Sequence, residues 1–424
     1  MTAQFPKMFD MQRRFQVPPP FNFQQALVRQ LTETNVLLRL KPDDRIALAV
    51  GSRGISNLRD IVSIVIEAVK SKGATPYIVP AMGSHGGATP QGQTHVLAEY
   101  GISHEALGAS IDARMEARFL GHSDNDVEVY FAEAALQADG IIVVNRVKPH
   151  TNFQGTIGSG IIKMLAIGLG KHKGAEVCHS AAARLGYEPV LRSVARFLLG
   201  RAPILFGIAI IEDQNHQTAD VRVLLPESIE QEEEKLFAQA RALMPTLPFD
   251  DIDLLIIDFL GKDLSGAGID PNVIGRSVFG YSTAPDANSN SAPRVQYIFV
   301  RDLSLATEGN AIGIGLADFT TARAVQKIDL KCTYANALTA LLVGTAKIPV
   351  YFDTDREALS RAFTSLALPS GATPRIVRIE STLALHRFQA SEAYNREISS
   401  RADLTVTKPA HDMEFDSDDN LLPI

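Results

Sequence analysis

The stretch Arg45–Gly83, "RIALAVGSRGISNLRDIVSIVIEAVKSKGATPYIVPAMG", reads as strand, helix, strand. "RIALAVG" is an unbroken apolar run closed by a glycine, the pattern of a parallel strand covered on both faces. In "NLRDIVSIVIEAVKSKG" (Asn57–Gly73) the residues Ile61, Ile64, Val65, Ala68 and Val69 recur at helical spacing and predict the buried face. Lys70 and Lys72 stand in the last turn and Gly73 closes it. "TPYIVPAMG" is the next strand. Parallel neighbours need a crossover, so the stretch is a βαβ unit.

Working outward, "IIVVN" (Ile141–Asn145), "APILFGIAII" (Ala202–Ile211), "IDLLIIDFLG" (Ile252–Gly261) and, more weakly, "QYIFVRDL" (Gln296–Leu303) are further buried-strand patterns. Helical stretches lie between most of them. The expected class is α/β: two domains, each with a mainly parallel sheet flanked by helices, and an active site in the cleft between them. "MPTLPFDD" (Met244–Asp251) follows a charged helix and marks the boundary, giving 1–245, 246–400 and an acidic tail, 401–424, expected to fray or lie on the surface. "APDANSNSAP" (Ala284–Pro293) reads as a surface loop. The Pro-rich leader "MTAQFPKMFDMQRRFQVPPP" is expected to be loose; it has no apolar signal core.

Of 424 residues 46% are hydrophobic and 21% charged, enough for a sizeable core. The net charge of −7, without a long basic run, argues against a general nucleic-acid or anionic-membrane binder. No apolar run reaches the roughly 18 residues of a membrane span. Two cysteines, Cys178 and Cys332, imply no disulfide framework and suit a reducing compartment. The expectation is a soluble cytoplasmic protein.

Four clusters carry candidate chemistry. "GSRGI" (Gly51–Ile55) puts Ser52 and Arg53 in a turn between strand and helix, where backbone N–H groups and a guanidinium can hold an anion; a tight turn with a surface arginine looks the same. "GSHGGAT" (Gly83–Thr89) leaves the His85 ring open between small residues, as a general base requires; a histidine that ties down its loop is the bland alternative. Residues 147–179, "VKPHTNFQGTIGSGIIKMLAIGLGKHKGAEVCH", hold three histidines and four lysines, with no acidic residue before Glu176. His150 follows a strand, and Lys163 sits among apolar neighbours that can desolvate its amine, although such lysines usually snorkel. Cys178 beside His179 reads as core. "GKDLSGAGIDPNVIGR" (Gly261–Arg276) offers Lys262 and Arg276 to an anionic substrate, with Asp263, Ser265 and Asn272 as polar fixers, or is simply a long surface loop.

The order and spacing of these motifs resemble the nickel-pincer lactate racemase family. Arg53 stands in a turn after an early strand, His85 in a G-[ST]-H-x-x-x-T loop, and His150 in a Pro-His pair opening a glycine-rich segment. Lys163 and His179 follow, 16 positions apart (179 minus 163). The likeness spans roughly Arg45 to His179. It implies a nickel-pincer nucleotide (pyridinium-3,5-bisthiocarboxylic acid mononucleotide with nickel), covalently attached through Lys163, with Lys171 or Lys173 as fallback attachment points. It implies His179 as the protein ligand to a square-planar nickel with sulfur and carbon donors. His85 and His150 become the acid/base pair beside the substrate. Arg53, with Ser52, holds an anionic part of the cofactor or the substrate carboxylate.

Three departures bear on substrate. Val50 stands where the family has an aspartate, "FQGTIGSGIIK" is about three residues longer, and "GAGIDPNVIGR" replaces the substrate-side pattern of the second domain. The expectation is therefore a racemase or epimerase of a 2-hydroxy acid larger than lactate, such as a sugar acid. Cofactor-biosynthesis proteins would supply the pincer, and the oligomeric state stays open. The competing readings are a lyase or other metal-assisted enzyme on the same scaffold without the pincer, and a non-catalytic nucleotide- or anion-binding protein.

Overall fold

The structure, a computed structural model, describes residues 5–51, 54–278 and 293–424. Ser52, Arg53 and most of the loop 284–293 lie outside the described residues. The chain forms two compact units, Val17–Met244 and Pro245–Ile424 together with residues 1–16. The class is α/β, with mainly parallel sheets flanked by helices.

The sheet of the unit Val17–Met244 runs Ser110–Ile111, Thr75–Pro80, Arg45–Val50, Gly140–Arg146, Ile204–Glu212, Thr218–Leu224. Its pairings are parallel except the last. Alternate residues of each strand enter two separate cores. Ala47, Ala49, Ile141 and Val143 pack on one face, and Ile46, Leu48, Val50, Ile142 and Val144 on the other. Helices cover both faces, which is why these strands are continuous apolar runs.

The helix Leu58–Lys70 buries Leu58, Ile61, Val62, Val65, Ile66 and Val69. The stripe is rotated from the expected one: Val62 and Ile66 are inside, while Ile64 and Ala68 lie at its half-exposed margin. In so apolar a helix the periodicity fits more than one face, and the sheet beneath selects among them.

The other unit has an eight-stranded sheet in the order Val350–Phe352, Phe319–Thr321, Arg294–Leu303, Asp251–Leu260, Ile376–Ile379, Arg387–Ser391, Met8–Arg13, Leu404–His411. The first five strands are parallel and the last three pair antiparallel. One expectation is corrected here and another is narrowed. The leader is not loose: Met8–Arg13 is inserted between two C-terminal strands, with Met8 and Met11 buried, so residues 1–16 belong with this unit. For the acidic tail, expected to fray or lie on the surface, the second alternative holds: it is ordered but mostly exposed. Leu404–His411 is a strand, and the backbone beyond it is anchored by buried side chains. Arg378 Nη2 donates to the Leu422 carbonyl at 2.6 Å, and the Asp355 carboxylate accepts the Leu421 N–H at 2.9 Å. Backbone groups placed on buried ionic partners are paired as completely as in a ladder, so the tail's polar composition did not imply disorder.

Candidate functional site

In the unit Val17–Met244 the chain leaves the strand Arg45–Val50 toward one edge of the sheet and returns on its other flank with Gly140–Arg146. The carboxyl ends of these two strands form the topological switch point, where open α/β sheets bind ligands. The turn after Val50 and the segment after Arg146 start from it.

The turn after Val50 is framed by residues the sequence did not single out. Gly54 N–H donates to the Tyr100 hydroxyl at 2.8 Å, and the Gly54 carbonyl accepts from Arg146 Nη1 at 2.9 Å. Ser56 N–H donates to Glu212 Oε1 at 2.8 Å, and Glu212 is ion-paired with Arg146. Arg146, which the sequence reading did not single out, holds the Gly54 carbonyl and Glu212 together.

His150 ends the second segment. Lys148 and Ser159 exchange backbone hydrogen bonds of 2.9 Å, which closes the loop between them. Inside it, His150 Nδ1 accepts the Asn152 N–H at 3.0 Å. In the neutral ring the proton therefore sits on Nε2. The imidazole stacks on Phe153 (4.9 Å between centroids), Phe153 stacks on Tyr187 (5.1 Å), and Tyr187 meets His179 edge-on (5.8 Å). The Asn152 side chain also hydrogen-bonds the Tyr187 hydroxyl, whose own proton is held by burial. The sequence reading missed Asn152, Phe153 and Tyr187. Their one signal was aromatic and amide residues inside a glycine-rich loop.

Lys163 lies on the short helical turn Ile161–Lys163, which runs into a π-helical turn, Met164–Gly168; π-turns are frequent at functional sites. Glu233, fully buried, caps this turn: its Oε2 accepts Ile161 N–H at 2.6 Å and Ile162 N–H at 3.0 Å. Gly160 makes room for it, since a Cβ there would fall 2.2 Å from Glu233 Oε1. Burial pushes the Glu233 carboxyl up to about 7, against the pull of the two amides.

The Lys163 amine and the His179 ring are brought within electrostatic reach. Burial first, and then the Lys163 charge, push the His179 imidazole down to about 4, so the ring is neutral at physiological pH, the state a metal ligand requires. Cys178 is core: burial pushes its thiol up to about 12, and Sγ faces the Ala166 carbonyl at 3.6 Å. His172 is exposed, as is Lys173, which pairs with Glu176. Lys171 is fully buried and sealed from solvent, which disqualifies it as a fallback attachment point.

The side chain of His85 is half-buried in the loop after Thr75–Pro80. Among the described residues no group of three or more His, Cys, Asp or Glu is placed to hold a metal ion. His179, neutral and beside Lys163, fits a metal that arrives with its other donors on an organic cofactor. Among the described residues no helix is long and apolar enough to cross a membrane.

In the other unit, Lys262 and Asn272 lie in the segments following the carboxyl end of Asp251–Leu260. Lys262 Nζ donates to Asn336 Oδ1, and Asn272 bonds Asp270 Oδ1 through its backbone N–H (3.0 Å) and its amide (3.1 Å). Arg276 is not an open substrate anchor. Its side chain is 3% exposed, and it donates to Asp318 Oδ2 (2.6 Å), the Leu316 carbonyl (2.6 Å) and the Gln296 carbonyl (3.0 Å). A guanidinium so enclosed holds its own fold together.

Residues 52–260, just under half of the chain, match the family described as a domain of unknown function, DUF362. No curated protein sequence matches the chain. Among solved structures, the lactate racemase apoprotein from Thermoanaerobacterium thermosaccharolyticum is similar in fold, with a TM-score of 0.51 at 13% identity, covering 89% of this chain and 99% of that one. A protein from Thermotoga maritima is similar with a TM-score of 0.55 at 9% identity, covering 88% and 99%. At such identities the likeness establishes a shared scaffold and leaves the chemistry to the site.

Proposed function

We propose that this protein is a racemase or epimerase of a 2-hydroxy acid that works with a nickel-pincer nucleotide, held covalently on Lys163 and ligated by His179. What supports the reading is that His150 is joined to His179 through the Phe153–Tyr187 stack and that the Lys163 charge acts on the His179 ring. The similar fold of a lactate racemase apoprotein supports it.

When bound, the cofactor supplies a reversible acceptor for the hydride on the substrate Cα. The chain supplies the rest. Lys163 would hold the cofactor through an amide-type link, and the charge that now disfavours protonation of His179 would then be gone. His179 offers one ring nitrogen to the metal. His85 and His150 move the hydroxyl proton. One neutral imidazole would take the hydroxyl proton, and the other, starting protonated, would return one on the opposite face. The two rings thus exchange protonation states in each turnover, and imidazole suits this because it gives and takes protons near neutrality. Arg53, Lys262 and Asn272 remain the proposed contacts for the anionic groups of substrate and cofactor, with Ser52 beside the cofactor. A cytoplasmic location is part of the same proposal.

The test is to co-produce the full chain with a pincer-synthesis pathway and map the adduct by peptide mass. The expected protein carries the adduct on Lys163 with one nickel. It interconverts 2-hydroxy acid stereoisomers in deuterated water without exchanging the Cα hydrogen, because that hydrogen travels as hydride. His85→Ala and His150→Ala each cost on the order of 10²–10⁴-fold in rate with nickel retained. Activity in protein lacking adduct and nickel, or solvent deuterium at Cα, replaces this reading with a metal-assisted or proton-abstracting enzyme. Ligand binding that survives loss of both histidines, with no turnover, replaces it with a binding protein.

A further inference from the structure

Lys171 is a fully buried lysine, which proteins rarely tolerate without a reason. Its backbone adopts φ +55°, a left-handed conformation uncommon for a residue with a side chain. It opens the helix Lys171–Leu185, which carries His179 two turns on. Its Nζ donates to the Pro80 carbonyl at 2.8 Å and to Gln93 Oε1 at 3.1 Å. Burial pushes the amine down to about 8, and Asp112 and Glu116 oppose the shift, so it is mostly charged at neutral pH.

Gln93 is also fully buried. An ammonium only donates, so Lys171 fixes the amide oxygen of Gln93 toward itself and turns the NH₂ group the other way. That group donates to the Gly83 carbonyl at 2.9 Å and to the His85 carbonyl at 3.3 Å. Through a single amide, the start of the His179 helix therefore grips the backbone of His85 itself. The loop needs such a grip, because Gly83, Gly86 and Gly87 all have positive φ and leave it little intrinsic stiffness.

We propose that Lys171 and Gln93 are positioning residues that hold the His85 loop in register with the helix bearing His179. The structural half of this proposal stands alone; its kinetic half rests on the racemase reading above. Neither residue touches substrate.

The experiment uses the full chain. Gln93→Glu keeps an acceptor for Lys171, now with opposite charge, and puts an oxygen where the donor to the two carbonyls was, so the grip is lost. Hydrogen exchange at residues 83–89 is expected to quicken by about tenfold, as for one or two lost hydrogen bonds, with the helix Lys171–Leu185 unchanged. In the loaded enzyme kcat falls by a similar factor, while KM and nickel content hold. Lys171→Met is expected to loosen both the loop and the start of the helix. Unchanged exchange at 83–89 in Gln93→Glu overturns the proposal, as does loosening spread evenly through the unit. A loosened loop in a protein with no stereoisomerase activity, wild type included, supports the clamp and removes the racemase reading instead.

Discussion

Tyr187 Oη lies 3.1 Å from His179 Nδ1. A neutral imidazole protonated on Nδ1 donates there and leaves the Nε2 lone pair for a metal. Asn152 extends the relationship, since its side chain bonds the same hydroxyl while its backbone N–H bonds His150 Nδ1. One residue thus orients both histidines.

Tyr187→Phe keeps the stack on Phe153 and removes the hydroxyl. Nickel affinity of the cofactor-bearing protein is expected to drop by about 10–100-fold, the range for a partner that orients a ligand. Nickel content against chelator concentration measures it, and an unchanged curve removes Tyr187 from the metal site.

His179 should stay neutral well into acid. Its folded value of about 4 lies below the ordinary 6.5, so its contribution to stability is complete above 6.5 and is lost as pH falls through 4. A histidine NMR titration of the unloaded chain checks this. Lys163→Met should raise the His179 value while leaving it below 6.5, because burial, the larger cause, remains. A value unmoved by that substitution separates the two side chains.

Glu233 acts in the opposite pH window. Its folded carboxyl value of about 7 exceeds the ordinary 4.5, so its share of stability is complete below 4.5 and fades as pH rises through 7. The loss is about 3 kcal/mol at most, from 1.36 kcal/mol per unit. Glu233→Gln keeps an acceptor for Ile161 and Ile162 and should flatten denaturation midpoints between pH 5 and 8, a range set by those two values. An equally steep profile in the variant assigns the pH dependence elsewhere.

Arg276→Met should cost about 3–5 kcal/mol of stability, because it strands Asp318 without its buried partner. KM of the folded enzyme should not move. A raised KM at unchanged stability would return Arg276 to the substrate site.

Much of this architecture could be read before any coordinates. Buried parallel strands such as Arg45–Val50 and Asp251–Leu260 are continuous apolar runs, and helix ends carry their own residues, so both signals are local. The motif order placed His150, Lys163 and His179 in one neighbourhood because two of them share a short segment and the third follows a strand that ends beside it. Local pattern was silent wherever a residue's role depends on a partner far along the chain. "MFDMQR" is a strand because Arg387–Ser391 and Leu404–His411 flank it, and no reading of the first twenty residues contains those neighbours. In sequence Arg276 reads as a substrate contact and Lys171 as a fallback attachment point, and nothing singles out Arg146. Asp318 and Gln93 turn the first two into buried fasteners, and Glu212 pairs with the partly exposed Arg146. A charge is least costly to bury when its hydrogen bonds are met, so folding assigns these residues their roles by supplying the partners.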